Sequence, residues 1–152
     1  MDLPRFLIIF CAEYLFFLVF LILPFFWFKG RRLWVFKTVV ALAIVFSIVG
    51  VTKHYLYTPR PFVGGNIIPL IKHESDGAFP SNHTALAVAL AVSTFFINKK
   101  LGAIFFVLAL IIGFARVLTG VHYGVDILGG TLVGLIVTPL VHRVDDYFIK
   151  KY

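Results

Sequence analysis

Long apolar stretches alternate with short polar connections along this chain. Five such stretches cover residues 6–28, 33–57, 81–97, 101–119 and 123–141. Each is roughly 17–25 residues long, the length that an α-helix needs to cross the hydrocarbon core of a bilayer. The pattern therefore predicts an all-α protein, a polytopic transmembrane bundle of about five spans.

The composition also indicates a membrane protein. Hydrophobic residues make up 61% of the 152 residues, and 18 residues are Phe. A soluble domain of this size cannot bury so much apolar surface. The first stretch is too long for a signal-peptide core. Cys11 is the only cysteine, so an intramolecular disulfide is excluded. Since no repeat or linker interrupts the pattern, we expect one membrane domain over residues 1–152.

The distribution of basic residues predicts the orientation of the bundle. Five basic residues belong to one side: Arg5, Lys53, Arg60, Lys72 and Arg116. Nine belong to the other: Lys29, Arg31, Arg32, Lys37, Lys99, Lys100, Arg143, Lys150 and Lys151. The side with more Lys and Arg faces the cytoplasm, which places the N-terminus outside and the C-terminus inside. The net charge of +7 reflects this asymmetry, so we do not expect nucleic-acid binding.

Polar residues gather at the external ends of four spans. The motif-bearing segments read KHYLYTPRPF from residue 53, FPSNHTA from residue 79 and FARVLTGVHYGVD from residue 114. They bring seven candidate residues to one membrane face: Lys53, Arg60, Ser81, His83, Arg116, His122 and Asp126. The Pro61–Pro80 connection lies on the same face, where an irregular loop can cover a site.

Each candidate has a plainer explanation when it is taken alone. Lys53 and Arg60 can be interfacial anchors, and Ser81 can be only a helix N-cap. A single His83 or His122 is more often an interfacial histidine. However, His122 and Asp126 are four residues apart, so a helix places them on one face, where the carboxylate can orient the imidazole.

Together these groups favour phosphoryl chemistry. Three cations and the amides of a helix N-terminus can bind a phosphoryl group and stabilise its negative charge. A histidine oriented by a carboxylate can attack phosphorus, while a second histidine protonates the departing oxygen. The sequence contains no cluster typical of a metal site, so we expect neither a metal nor another cofactor.

The three segments resemble the motifs of the type 2 phosphatidic acid phosphatase superfamily, K-x6-RP, PSGH and SR-x5-H-x3-D. Asn82 stands where the second motif has glycine, and Ala115 stands where the third has serine. The resemblance implies that His122 is the nucleophile, oriented by Asp126, and that His83 assists the leaving group. It assigns the phosphate to five residues: Lys53, Arg60, Ser81, Asn82 and Arg116.

Within the superfamily, RPFV and FPSNHT are most similar to the bacitracin-resistance type of undecaprenyl-pyrophosphate phosphatase. This similarity implies a polyprenyl diphosphate substrate in the bilayer, cleaved on the external side. Phosphatidylglycerophosphate and phosphatidic acid are the alternative substrates. A vanadium haloperoxidase is disfavoured because those enzymes are soluble. A small lipid transporter would place its charges near the midplane rather than at one end.

A few polar residues lie outside these motifs. For Glu13, inside the first stretch, contact with a neighbouring helix is favoured over a catalytic role. His54, His73, Glu74 and Asp76 also lie outside the motifs. The loop residues among them are expected on a solvated surface, with contact to lipid headgroups as the less favoured alternative. No obligate protein partner is indicated.

Overall fold

The computed structural model describes the backbone of residues 2–64 and 67–149, and the side chains of these residues as far as Arg143. All regular structure in these ranges is helical, which confirms the all-α fold class. Lys150 and Lys151, two of the basic residues that indicate the cytoplasmic side, lie outside the described residues. Gly65 and Asn66 of the Pro61–Pro80 loop also lie outside them.

The first apolar segment is an interrupted helix. It runs from Leu3 to Phe28 and consists of α1 (Leu3–Ile9), a π-helical turn (Phe10–Tyr14), α2 (Leu15–Phe20) and α3 (Ile22–Phe28). The interruption at Leu21 follows from Pro24, which has no N–H to donate to the Phe20 carbonyl and whose ring crowds that carbonyl. The π-helical turn adds a residue to one turn and thereby rotates the side chains that follow it.

Three further helices are long: α4 (Arg32–Tyr55), α6 (Lys99–Leu118) and α7 (Gly124–Ile149). By length and composition, four segments of the described chain can cross a membrane: Leu3–Phe28, Arg32–Tyr55, Lys99–Leu118 and Gly124–Arg143. These correspond to the predicted stretches 6–28, 33–57, 101–119 and 123–141.

The remaining predicted span forms a shorter helix at the centre of the bundle. Helix α5 covers Asn82–Phe95, 14 residues, instead of the predicted 81–97. Such a helix rises about 21 Å, less than the ~30 Å hydrocarbon core. It packs against α4, α6 and α7, and most of its side chains are buried. Its apolar sequence therefore reflects burial among other helices as much as contact with lipid.

Small residues let α7 lie directly against α5. A Cβ atom on Gly130 would lie 2.6 Å from the Ser81 carbonyl oxygen, and one on Gly134 would lie 2.8 Å from that of Ala85. These distances are too short for any side chain. The two helices can therefore approach closely only because α7 has glycine at both positions.

Backbone hydrogen bonds join the helix ends that carry the motifs. The Ser81 amide donates to the Asp126 carbonyl at 3.0 Å, which ties the start of α5 to the start of α7. In the loop, the Leu70 amide donates to the Thr119 carbonyl after α6 at 2.9 Å, and Ala78 donates to Thr58 after α4 at 2.9 Å. Four helix ends and one loop thus meet at one end of the bundle.

Candidate active site

His122 and Asp126 form a buried pair at the start of α7. Nδ1 of His122 lies 3.1 Å from Oδ2 of Asp126, and their side chains are 2% and 1% exposed. The same carboxylate oxygen accepts a hydrogen bond from the Tyr123 amide at 2.8 Å. Asp126 is therefore fixed by the first turn of its own helix. The contact expected from the sequence is present, but His122 lies two residues before α7 and not on the helix itself.

Arg60 contacts the opposite side of the His122 ring. Its guanidinium is almost fully buried, and Nη1 lies 3.1 Å from Nε2 of His122 while donating to the Val121 carbonyl at 2.8 Å. The loop after α4 thus brings the arginine of the first motif to the histidine of the third.

These two contacts together define the proton position on His122. Arginine has only donors, so Nε2 of His122 must accept from Arg60. A carboxylate accepts, so Nδ1 must donate to Asp126. The neutral ring consequently carries its proton on Nδ1 and a lone pair on Nε2, the atom that faces Arg60.

The surroundings also keep His122 uncharged. Burial, together with the charges of Arg60 and Arg116, lowers its pKa to about 4, although the hydrogen bond and charge of Asp126 act in the opposite direction. At neutral pH the Nε2 lone pair is therefore available without loss of a proton.

Arg116 is the second buried arginine of the site. It lies in the last turn of α6 and is 2% exposed, yet Nε and Nη2 have no hydrogen-bond partner within the described part of the chain. Buried donors normally have a partner, so these two atoms are suited to bind an anion that enters the site.

Ser81 and Asn82 begin α5. The Ser81 hydroxyl accepts from the Thr84 amide at 3.5 Å, so its plainer role as an N-cap is confirmed. Oδ1 of Asn82 is buried without a partner among the described residues. Asn82 is the first residue of the helix, a backbone conformation open to any residue, so the replacement of glycine requires no strain. Binding of phosphate by either residue stays a prediction.

Asp76 and His73 contact the site, which the prediction of a solvated surface did not include. Asp76 is nevertheless exposed, with 45% of its side chain accessible, and His73 is partly buried. The Asp76 carboxylate accepts from Arg60 at 2.9 Å (Nε) and 2.7 Å (Nη2), and Oδ2 lies 3.4 Å from Nζ of Lys53. Lys53 also donates to the Gly77 carbonyl. The ring centroid of His73 is 6.3 Å from that of His122. The loop therefore folds over the cations while Glu74 and Asp76 remain exposed, as expected for loop residues. His54, on α4, is exposed as well.

Charge explains how Asp76 is held in this position. Burial of its carboxyl would raise the pKa of Asp76, but the hydrogen bond from Arg60 and the charge of Lys53 outweigh burial and hold that pKa below its ordinary value. Burial lowers the pKa of His73, which favours its neutral form. No sequence motif indicated these residues, because only the loop conformation brings them to the site.

His83 lies next to the first apolar segment. Its ring centroid is 4.5 Å from that of Phe16. It lines a cavity of about 340 Å³ together with Arg116, His73 and Glu13. The structure thus brings His83 near the second arginine of the site. The predicted contact of Glu13 with a neighbouring helix stays a prediction.

The replacement of serine by Ala115 is accommodated by packing. Ala115 is 4% exposed and lies in an apolar cluster with Ala12, Ile71 and Val121. Among the described residues, no group of three or more His, Cys, Asp or Glu side chains is arranged to hold a metal ion.

Comparison with known proteins places this geometry in a family. The model of the PAP2 superfamily matches residues 33–150. The chain is 38% identical over 112 residues to undecaprenyl-diphosphatase BcrC of Bacillus subtilis, which covers 70% of the chain and 58% of that protein. It is 34% identical over 113 residues to phosphatidylglycerophosphatase B of Bacillus subtilis, which covers 67% of the chain and 53% of that protein. The chain thus spans little more than half the length of these relatives.

The fold is similar to that of a solved structure. The crystal structure of Aquifex aeolicus LpxE superposes with a TM-score of 0.82 at 27% identity, covering 94% of this chain and 87% of that one. The match of the family model extends from the start of α4 through α7 and includes every motif residue named above. This chain therefore belongs to the PAP2 superfamily.

Proposed function

We propose that the protein is a membrane phosphatase that hydrolyses a polyprenyl diphosphate, undecaprenyl pyrophosphate, to the monophosphate and inorganic phosphate. The observation that carries this proposal is the contact of His122 with Asp126 on one ring nitrogen and with Arg60 on the other. This arrangement leaves the lone pair of Nε2 of His122 beside the Arg60 guanidinium, where a phosphoryl group would bind.

The reaction has two steps. Nε2 of His122 attacks the terminal phosphorus, and the bond from that phosphorus to the bridging oxygen breaks. His83 protonates the departing lipid monophosphate, and a phosphohistidine remains. A water molecule then attacks the phosphohistidine, with His83 accepting its proton, and inorganic phosphate leaves.

The remaining residues stabilise charge during both steps. Lys53, Arg60 and Arg116 bind the phosphoryl oxygens, on which negative charge is spread in the transition state. Asp126 stabilises the imidazolium that forms when His122 becomes phosphorylated. On binding, the phosphate replaces His122 as the partner of Arg60 Nη1 and so exposes the Nε2 lone pair.

Support for the polyprenyl substrate comes from undecaprenyl-diphosphatase BcrC, a relative at 38% identity. The similarity to phosphatidylglycerophosphatase B keeps phosphatidylglycerophosphate as the second candidate, with phosphatidic acid. A small lipid transporter is the candidate from another class. It is disfavoured because most charged groups of the site lie at helix ends and in one loop.

A comparison of substrates tests the proposal. We would measure kcat/KM for undecaprenyl pyrophosphate, phosphatidylglycerophosphate and phosphatidic acid in the same detergent micelles containing EDTA. We expect undecaprenyl pyrophosphate to be preferred at least tenfold, about 1.4 kcal/mol in transition-state stabilisation. A preference of the same size for either other lipid would reject undecaprenyl pyrophosphate as the substrate. Absence of phosphate release from all three lipids would reject the proposed phosphatase activity.

A further inference from the structure

A cavity adjoins the site, since its wall includes Arg116 and His73, whose ring centroid lies 6.3 Å from that of His122. Its volume is about 340 Å³, and the polar side chains in its wall are Glu13, Lys72, His73, His83 and Arg116. Lys72 belongs to none of the three family motifs. The cavity therefore extends the cationic site towards the first apolar segment.

The direction of the reaction gives this cavity a role, which rests on the proposed function. In an in-line displacement the leaving group departs on the side of phosphorus opposite the nucleophile. His83, the proposed proton donor to the leaving group, lines the cavity, whereas His122 is not among its lining residues. The part of the substrate that departs would thus occupy this space.

The charges of the wall suit a second phosphate. Lys72 and Arg116 provide two cations against the single carboxylate of Glu13. The two unpartnered nitrogens of Arg116 are buried, and an anion in the cavity would satisfy them. A lipid monophosphate bears one phosphate, which His122 must attack, whereas a lipid diphosphate bears another that stays on the leaving group.

The cavity also has an apolar exit. Tyr14 and Phe17 form part of its wall and are 58% and 66% exposed on the first apolar segment. Exposed aromatic side chains on a membrane-spanning helix face lipid. A phosphate in the cavity can therefore remain attached to a hydrocarbon chain that lies in the bilayer.

We infer that this cavity is a second phosphate subsite, in which Lys72 binds the phosphate that remains on the lipid. Lys72 then favours lipid diphosphates over lipid monophosphates. Glu13 limits the excess positive charge when the cavity is empty.

The subsite can be tested by binding, independently of turnover. Titration calorimetry on the purified full chain would give dissociation constants for methylenediphosphonate, which carries two phosphonates, and for methylphosphonate, which carries one. For Lys72→Gln we expect the dissociation constant of methylenediphosphonate to rise about tenfold, because one charge-assisted contact is lost. The constant for methylphosphonate should change less than about twofold.

Two variants serve as controls. Lys72→Arg should retain most of the affinity for methylenediphosphonate, and a thermal unfolding scan shows whether each variant is folded. Arg5→Gln removes a positive charge from an exposed position that does not line the cavity and should leave both constants unchanged. The proposed subsite would be overturned if Lys72→Gln weakened the binding of both phosphonates equally, or if it weakened the binding of neither.

The lipid assays separate this inference from the proposed function. If a lipid monophosphate is the preferred substrate while Lys72→Gln selectively weakens methylenediphosphonate, the substrate assignment fails and the subsite stands. If undecaprenyl pyrophosphate is preferred while Lys72→Gln binds both phosphonates normally, the subsite fails and the proposed function stands.

Discussion

The carboxylate of Asp76 holds one edge of Arg60, with hydrogen bonds of 2.9 Å from Nε and 2.7 Å from Nη2. The other terminal nitrogen of the guanidinium, Nη1, faces His122. A loop residue outside the family motifs thus sets the orientation of a buried arginine that we expect to bind phosphate.

The ion pair of Asp76 should make stability depend on pH. Because the pKa of Asp76 lies below its ordinary value of about 3.9, its contribution is present above that pH and is lost as pH falls through the lowered pKa. Asp76→Asn should lower the free energy of unfolding at pH 7 by up to about 1 kcal/mol, since the side chain is partly solvated. Thermal unfolding in detergent at pH 7 and pH 3 would measure this difference. A loss of the same size at both pH values would contradict it.

The pH profile of activity should reflect the buried position of His122. Burial and two nearby arginines lower its pKa to about 4, so the ring remains neutral at pH 5.5, where an ordinary histidine is mostly charged. We expect kcat/KM of His83→Ala, which lacks the proposed general acid and so reports on His122 alone, to stay constant from pH 7 to pH 5.5 once it is divided by the ionised fraction of the substrate phosphate. A fall with a midpoint near 6.5 would show that His122 titrates normally.

Close contact between α5 and α7 should be required for activity. Gly130→Ala places a Cβ atom against the Ser81 carbonyl, so the two helices must separate and His122 must move relative to Ser81. We expect at least a tenfold loss of kcat/KM, since small displacements of reacting groups are costly. Gly124→Ala is the matched control, because a Cβ atom there meets nothing within 4 Å. If Gly130→Ala were as active as Gly124→Ala and the unaltered protein, close contact between α5 and α7 would not be required for activity.

Residue types and spacing could predict the catalytic pair and much of the helical pattern. The i, i+4 spacing of His122 and Asp126 became a direct contact. The interruption near Pro24 was not predicted, although a proline within an apolar run is a sequence signal for such a break. The π-helical turn was not predicted, because an apolar run has the same composition with or without it. Asp76 and Lys72 could not be placed either, since the loop reaches the site through long-range backbone bonds such as Ala78 to Thr58.

Orientation in the membrane is a separate proposal, with the site outside and the C-terminus in the cytoplasm. Single cysteines in a Cys11→Ser background would test it, with an impermeant thiol reagent on intact cells. We expect labelling at Ser75→Cys, in the loop over the site, and none at Lys100→Cys. Both positions are exposed, and Lys100 avoids the N-cap of α6, where Asn98 accepts from the Leu101 amide at 3.0 Å. The opposite labelling would reverse the topology.

The most direct test of the mechanism is to trap phosphate on His122. Rapid acid-free quenching of enzyme with terminally ³²P-labelled undecaprenyl pyrophosphate should leave label that is stable to base and labile to acid. Peptide mapping should place it on residue 122, and His122→Ala should retain none while remaining folded in the membrane. In His83→Ala, label should form more slowly and persist longer, since protonation of the leaving group and activation of water are both impaired. Wild-type turnover accompanied by label on another residue, or undiminished turnover by His122→Ala, would contradict the assignment of His122 as the nucleophile.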